Sequence, residues 1–511
     1  MKDLIFGKDE TQRVVGIEPG MYNECVLFIQ NEDGDIEQET VPLTHWMIYA
    51  QFLSPKMTPL KGDQPYKYLL EYDNAEKFNE ILRSSRDARH DIFTMRDDKE
   101  AFMVKNGVTY YKGLKVKDVS VLSFDLEHTY GIGEQLNKDG KLLLISNTYR
   151  DSKGNITKEL FSYDEYASEG EMLSAWLDFV YKMDPSILLG HNIFGHDFRI
   201  LRHAAYKSGV KLRLGRDNSP LEFDHRKSMF RKDGSQSYEY FNAKAYGREI
   251  VDTFFLAIKY DVARNYENYK LKSIIKHEGL EKKDRTHYDA SQIINDYKDP
   301  VKWKQIKEYA KDDADDALAL YDLMIAPFFY SVNSVPRSLQ HLINSASGSQ
   351  INSIMVRGYL QQGHSIARSC EREDFEGAIS FGIPGIHKNV LRFDVSSLYP
   401  SVMRQYKIFN KDKDPQALFL KMVNYFTEER LLNKKIGKET GDRYYKDLEQ
   451  SQKIMINSMY GFLGANRVNY NYPFGASEVT RHGRRILKQS ILWATGKEYT
   501  ITSSEDENES A

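Results

Sequence analysis

Cysteine is nearly absent. The 511-residue chain has two, Cys25 and Cys370, far apart. Neither a disulfide framework nor a zinc-ligand spacing can be built from them, which fits a reducing compartment. No apolar run reaches the length of a membrane span. The opening MKDLIFGKDETQR is broken by charge too early for a signal peptide. A soluble, cytoplasmic protein without a membrane partner is expected. The formal net charge is −3, so no overall basic field draws in a polyanion. A local basic channel on a near-neutral chain is still allowed. Internal repeats and long low-complexity tracts are missing as well.

Apolar residues make up 41% of the chain, enough for several cores, and 511 residues imply more than one domain. Aromatics reach 13%, with 34 tyrosines whose faces can fill cores or stack on bases. Residues 1–120 read as mixed, mostly β structure, with QNEDGD (30–35) as a hairpin turn. VSVLSFDLE (119–127), LLLISNTYR (142–150) and ILLGHN (187–192) read as strands. DSKGN (151–155) is a turn, EGEMLSAWLDFVYKM (169–183) an amphipathic helix, and FRKDGSQSYEYF (230–241) a hairpin. The alternation predicts an α/β domain over 121–325. Residues 326–370 and two stretches within 415–462 are predicted helical, the latter broken at IGKETGD (436–442). The polar, acidic SSEDENESA end is predicted disordered.

Carboxylates gather in three of these segments. Asp125 and Glu127 are two apart on a predicted strand and share a face. Asp197 follows a buried strand and a glycine turn in GHNIFGHDF. Tyr309 and Asp313 are four apart on a predicted helix, EYAKDDADDALALYDLM. Like charges on an apolar sheet edge repel unless a divalent cation lies between them. Two such ions could activate a water and stabilise a departing 3′-oxygen, with a tyrosine orienting the water. Each piece alone has a plainer reading: a D-x-E on a strand is usually a solvated face, and an acidic run can complement a helix N-terminus. Three pieces in order within one α/β region favour the functional reading.

FDLE, GHNIFGHD and YAKDDA resemble the three exonuclease motifs of family B DNA polymerases, the tyrosine subtype of the DEDD 3′→5′ exonucleases. The resemblance implies an RNase H-like domain with Asp125, Glu127, Asp197 and Asp313 as ligands of two Mg²⁺ (or Mn²⁺) ions. Tyr309 would orient the water. Asn192 falls where the second motif often has Asn. His196 stands where the family usually has an aromatic residue. YKLKSIIKHEGLEKKDR (269–285) is similar to the family's segment between the second and third motifs.

A second constellation lies downstream. On a helix, Lys453, Asn457, Tyr460 and Gly461 of KIMINSMYGFLGA share one face, which suits a nucleotide: a cation, an amide, a flat ring and a gap. Arg430 and Lys434 are four apart on another helix. A solvated face is the better reading for that pair alone, and a snorkelling Lys with a core Tyr is the plain one for the first set. KxxxNSxYG, however, resembles the polymerase B motif of the family's fingers, and RFDVSSLYPSVM (392–403) resembles its A motif. FEGA (375–378) is similar to the linker before the palm, with Phe for the usual Tyr, and ASEVTRHGRRIL (476–487) to the palm helix after the fingers. The resemblance implies metal binding by Asp394, at the end of a predicted strand (NVLRF). Backbone around Val395 to Leu398, Ser397 included, would meet the triphosphate, and Tyr399 would sit under the sugar and exclude a 2′-hydroxyl. Arg430, Lys434, Lys453 and Asn457 would hold phosphates; Tyr460 and Gly461 would touch the nascent base pair. The short interval from Asp394 to Lys453 leaves no room for the insertion of protein-primed relatives.

One expected part is missing. The family's second palm carboxylate sits in a strand-turn-strand of the form YGDTDS, and no YGDTD occurs in the chain. The acids of SSEDENESA have nothing apolar to fix them as ligands. The organisation implied is a β-rich N-terminal domain (1–120, with 326–370 packing on it), the exonuclease domain (121–325), a partial palm (371–405 and 475–500), fingers (406–474) and a disordered tail (501–511). Expected partners are a DNA primer-template, a single-stranded 3′ end, dNTPs, and a second polypeptide carrying the missing palm motif and thumb. A stand-alone exonuclease or a non-catalytic DNA-binding subunit are the alternatives. A microbial or virus-infected cell is the expected setting.

Overall fold

The computed structural model describes residues 2–20, 22–131, 136–231, 237–371, 374–380, 385–395 and 397–496. Its N-terminal part holds two antiparallel sheets. One runs Val14–Pro19, Glu24–Gln30, Ile36–Pro42. The predicted turn joins its last two strands: the Asn31 side chain accepts from Asp33 N and Asp35 N at 3.0 Å, and Gly34 takes φ +96°. The other orders Thr58–Pro59, Tyr68–Tyr72, His45–Tyr49 and Ile92–Phe93.

The central sheet positions the candidate site. Its order is Ile156–Ser162, Leu142–Arg150, Val121–His128, Ile187–Gly190, Glu249–Asp252. The first three strands are antiparallel neighbours, and the last two run parallel to Val121–His128. This is the RNase H-like order, an α/β arrangement with helices on its faces. Glu169–Met183 forms as the sequence predicts: Ser168 caps Glu171 N at 3.2 Å, Glu171 reaches back to Ala167 N at 3.2 Å, and its apolar stripe, including Trp176, is buried.

The long helix Pro300–Met324 lies across the sheet. Asp299 caps Val301 N, and Pro300 starts the first turn. Three contacts set its register: Ser123 Oγ donates to Ala314 O (2.7 Å), Thr148 Oγ1 to Asp315 (2.6 Å), and Arg150 Nη1 to Asp322 (2.5 Å). Further helices, Ala326–Ser331, Leu339–Asn344 and Ser347–Leu360, pack back toward the N-terminal part through the buried Arg337–Glu100 pair (3.0 Å).

Two long helices follow, Leu418–Thr440 and Arg443–Leu463. The helix continues through Ile436–Thr440, so the break is narrower than IGKETGD. Only Gly441 (φ +70°) and Asp442, capping Tyr444 N at 2.9 Å, interrupt it. The NVLRF run departs from expectation. Residues 390–395 are exposed and irregular. A strand is stable only when its backbone groups pair, and no neighbouring strand stands beside it among the described residues. Residues 497–511, with KEYTI and the acidic end, and the hairpin tip 232–236 lie outside the described residues. Among those described, no helix is long and apolar enough to cross a membrane.

Candidate active site

Asp125 and Glu127 project from one face of the central strand, and the helix Pro300–Met324 brings Asp313 onto them. One carboxylate oxygen from each lies within 4.8 Å of the others. Tyr309, one turn earlier, is 2% exposed. Of the acidic run 312–316, only Asp313 faces this cluster. Asp312 accepts from Thr286 N, Asp315 pairs with Lys158 and Lys282, and Asp316 with Arg285 at 2.8 Å. The run therefore sits mid-helix and is tied by cations, not placed at an N-terminus.

Asp197 opens the helix Asp197–Ser208 and is 3% exposed. It lines the same cleft, of about 810 Å³, with Asp125, Glu127, Asn192, Tyr309 and Asp313. It does not join the three acids within 4.8 Å. Its charge still reaches them. The Asp125 carboxyl is pushed well above the usual range by burial, then by Asp313, Glu127 and Asp197. Glu127 is pushed up to about 8, by burial first and then Asp313. Burial, then Asp252, pushes Asp197 up to about 7. Tyr309 is raised by burial and then by the acids, so its phenol keeps its proton. A dense set of hard oxygen donors with mutually raised proton affinities suits a divalent cation such as Mg²⁺.

Several contributors were not singled out from the sequence. Asp252 ends the edge strand in IVD and is 1% exposed. It accepts from Asn192 N (2.7 Å), Phe194 N (3.2 Å) and Phe254 N (2.9 Å), which folds the loop carrying Asp197. Asn192 takes φ +64° in that loop. Lys272 Nζ donates to Tyr309 Oη and lies 3.5 Å from Asp313; Arg285 Nη2 reaches Asp313 at 2.5 Å. His196, the departure from the family pattern, finds its partner in His128, Nε2 to Nε2 at 2.9 Å. Tyr130 N donates to His128 Nδ1, so neutral His128 carries its proton on Nε2 and gives it to His196.

The second constellation is partly assembled. Lys453, Asn457 and Gly461 are exposed and Tyr460 is half-buried along one face of their helix. A Cβ at Gly461 would meet nothing within 4 Å, so the space there is open. Tyr399 and Tyr460 rings meet at 4.5 Å between centroids. Gly483, also unremarked in the sequence, leaves room for this: a Cβ there would lie 3.2 Å from Tyr399. Leu398 is half-buried on the core. Arg430 donates to Ser397 Oγ at 2.9 Å, while Lys434 is exposed one turn on. FEGA is tied to the helix Pro473–Thr495: Thr480 and Arg484 donate to Glu376 O at 2.9 and 2.8 Å. Asp394 is exposed and stands apart from the acidic cluster at Asp125.

The sheet order and the acids at its edge define the class, an RNase H-like α/β domain with a carboxylate cluster. Comparison with known proteins narrows it: residues 102–274 match the exonuclease domain of DNA polymerase family B. The chain is 25% identical over 371 residues to DNA polymerase II of Escherichia coli, covering 65% of this chain and 43% of that one. It is 23% identical over 424 residues to DNA polymerase 1 of Pyrococcus abyssi, covering 76% and 52%. The fold resembles the solved family B DNA polymerase of Pyrobaculum calidifontis, with TM-score 0.75, 17% identity and coverage of 94% of this chain and 72% of that one. The chain spans about half the length of the curated relatives it matches.

Proposed function

We propose that this chain removes nucleotides from a single-stranded DNA 3′ end, as the proofreading part of a DNA polymerase. The observation that carries the reading is the trio Asp125, Glu127 and Asp313, the first two half-buried and the last buried, with Asp197 and Tyr309 in one open cleft. The four acids would hold two divalent ions, which supply charge neutralisation at the scissile phosphate and a more acidic attacking water. The residues do the rest. Protonated Tyr309 directs a lone pair toward the water and orients it. Lys272 fixes that phenol from behind. Arg285 and Asp252 hold Asp313 and the Asp197 loop in place before substrate arrives. Asparagine at Asp125 should remove nuclease activity on a labelled single strand without changing the fold; full retained activity would overturn the assignment.

The second part of the reading is nucleotide binding by the fingers, supported by the Tyr399–Tyr460 contact and the Lys453–Asn457 face. Here Arg430, Lys434 and Lys453 take the triphosphate of a dNTP, and Ser397, Leu398, Tyr399, Tyr460 and Gly461 shape the pocket. Asp394 acts in nucleotidyl transfer only beside a second carboxylate, which residues 1–511 do not provide in the form YGDTDS. A strand carrying that carboxylate would pair with NVLRF, whose apolar side chains Val390, Leu391 and Phe393 are exposed. Binding of dATP lost in Lys453→Ala would support the nucleotide assignment; binding unchanged would remove it.

A further inference from the structure

Arg430, assigned above to phosphate, already has a carboxylate partner. Its Nε donates to Glu449 Oε1 at 2.7 Å, and its Nη1 to Ser397 Oγ at 2.9 Å. The pair is largely shielded, with side chains 18% and 19% exposed. Ser397 is held at φ +52° at the start of the helix Leu398–Tyr406. The guanidinium thus joins three segments: one fingers helix, its neighbour, and the turn after Asp394. Glu449 stands one turn before Lys453 on the same helix, and Asn433 bonds Gln452 alongside at 3.1 Å. Among the described residues, Lys434 and Lys453 are in no ion pair with Glu449. A carboxylate and a phosphate compete for the same planar fork of donors. A triphosphate near Lys453 and Arg430 must therefore displace Glu449 or accept its repulsion.

We propose that Glu449 is a positioning residue of the nucleotide site, holding Arg430 against Ser397 until an incoming triphosphate takes the arginine over. Glu449 then sets the affinity for nucleotide: it keeps an unoccupied site from presenting a bare guanidinium and makes occupancy depend on a full phosphate chain. The inference rests on the nucleotide-binding reading above, and the two fail differently.

The test is equilibrium binding of Mg²⁺–dATP and of inorganic tripolyphosphate to the purified 511-residue chain. Glu449→Gln should tighten both by about three- to fivefold, the scale of a partly exposed ion pair. Glu449→Asp, which keeps the charge but shortens the reach, should give a smaller gain. In an Arg430→Ala background the Glu449→Gln gain should vanish, since the coupling requires both partners. Unchanged or weaker dATP binding in a folded Glu449→Gln chain would overturn the proposal. So would an equal gain without Arg430, or a gain for dATP that tripolyphosphate does not share. A wild-type dATP affinity indifferent to Lys453→Ala would instead sink the nucleotide site itself.

Discussion

Glu127 shows what the candidate site demands of single residues. Its carboxyl is pushed from its ordinary 4.5 to about 8 by burial and by Asp313. Between those values the folded chain holds a proton that the unfolded chain has lost, so stability falls as pH rises through the window. A divalent cation bound by the ionised acids of the folded state reverses this. Mg²⁺ is expected to raise the melting temperature more at about pH 8.5 than at about pH 6, and Asp125→Asn with Glu127→Gln should abolish the shift. Thermal melts in chelator and in Mg²⁺ would check both. Tyr309→Phe keeps the ring and loses the hydroxyl; nuclease turnover should fall by about 10²-fold, the low end of positioned proton-transfer effects. At this scale much was legible, because spacing alone puts Asp125 with Glu127 and Tyr309 with Asp313. Lys272, Arg285 and Glu449 were not, because an isolated Lys, Arg or Glu in a polar segment looks like any solvated charge until the fold supplies its partner.

Elements decide whether those side chains meet. Asp252 is the joint between the edge strand and the loop of the second acidic segment, satisfying three backbone N–H groups. Asp252→Ala should cost about 3 kcal/mol, since it leaves one buried and two half-buried donors unpaired. It should also lower nuclease activity by displacing Asp197. Denaturant unfolding and a single-strand nuclease assay read the two effects, and unaltered activity with lowered stability would separate the joint from the site. The strands Leu142–Arg150 and Val121–His128 and the helix Glu169–Met183 were readable because each carries its own period and cap. NVLRF has the composition of a strand, but a strand is made by its neighbour, and composition does not reveal whether that neighbour is present. The extension of the helix through Ile436–Thr440 was missed for a related reason: Gly437 packs against Lys446 and Tyr445 of the facing helix, so its position in the helix interior is held by tertiary contact.

At the scale of the whole molecule, the acids around Asp125 and the residue Asp394 belong to separate places, and their activities should separate. Asp394→Ala should leave 3′ shortening unchanged, while Asp125→Asn removes it; parallel nuclease assays on both variants would show this. The order of segments was visible in the sequence because each motif is local. Their assembly was not: the RNase H-like sheet draws on residues from 121 to 252, and its acid cluster is completed from residue 313.

The most direct measurement is a 5′-labelled primer-template incubated with the purified chain and Mg²⁺, with and without dNTPs, beside the Asp125→Asn variant. The wild-type chain should shorten the primer stepwise in both conditions without extending it, and the variant should not shorten it. A primer left intact by the wild-type chain, or shortened equally by Asp125→Asn, would contradict it.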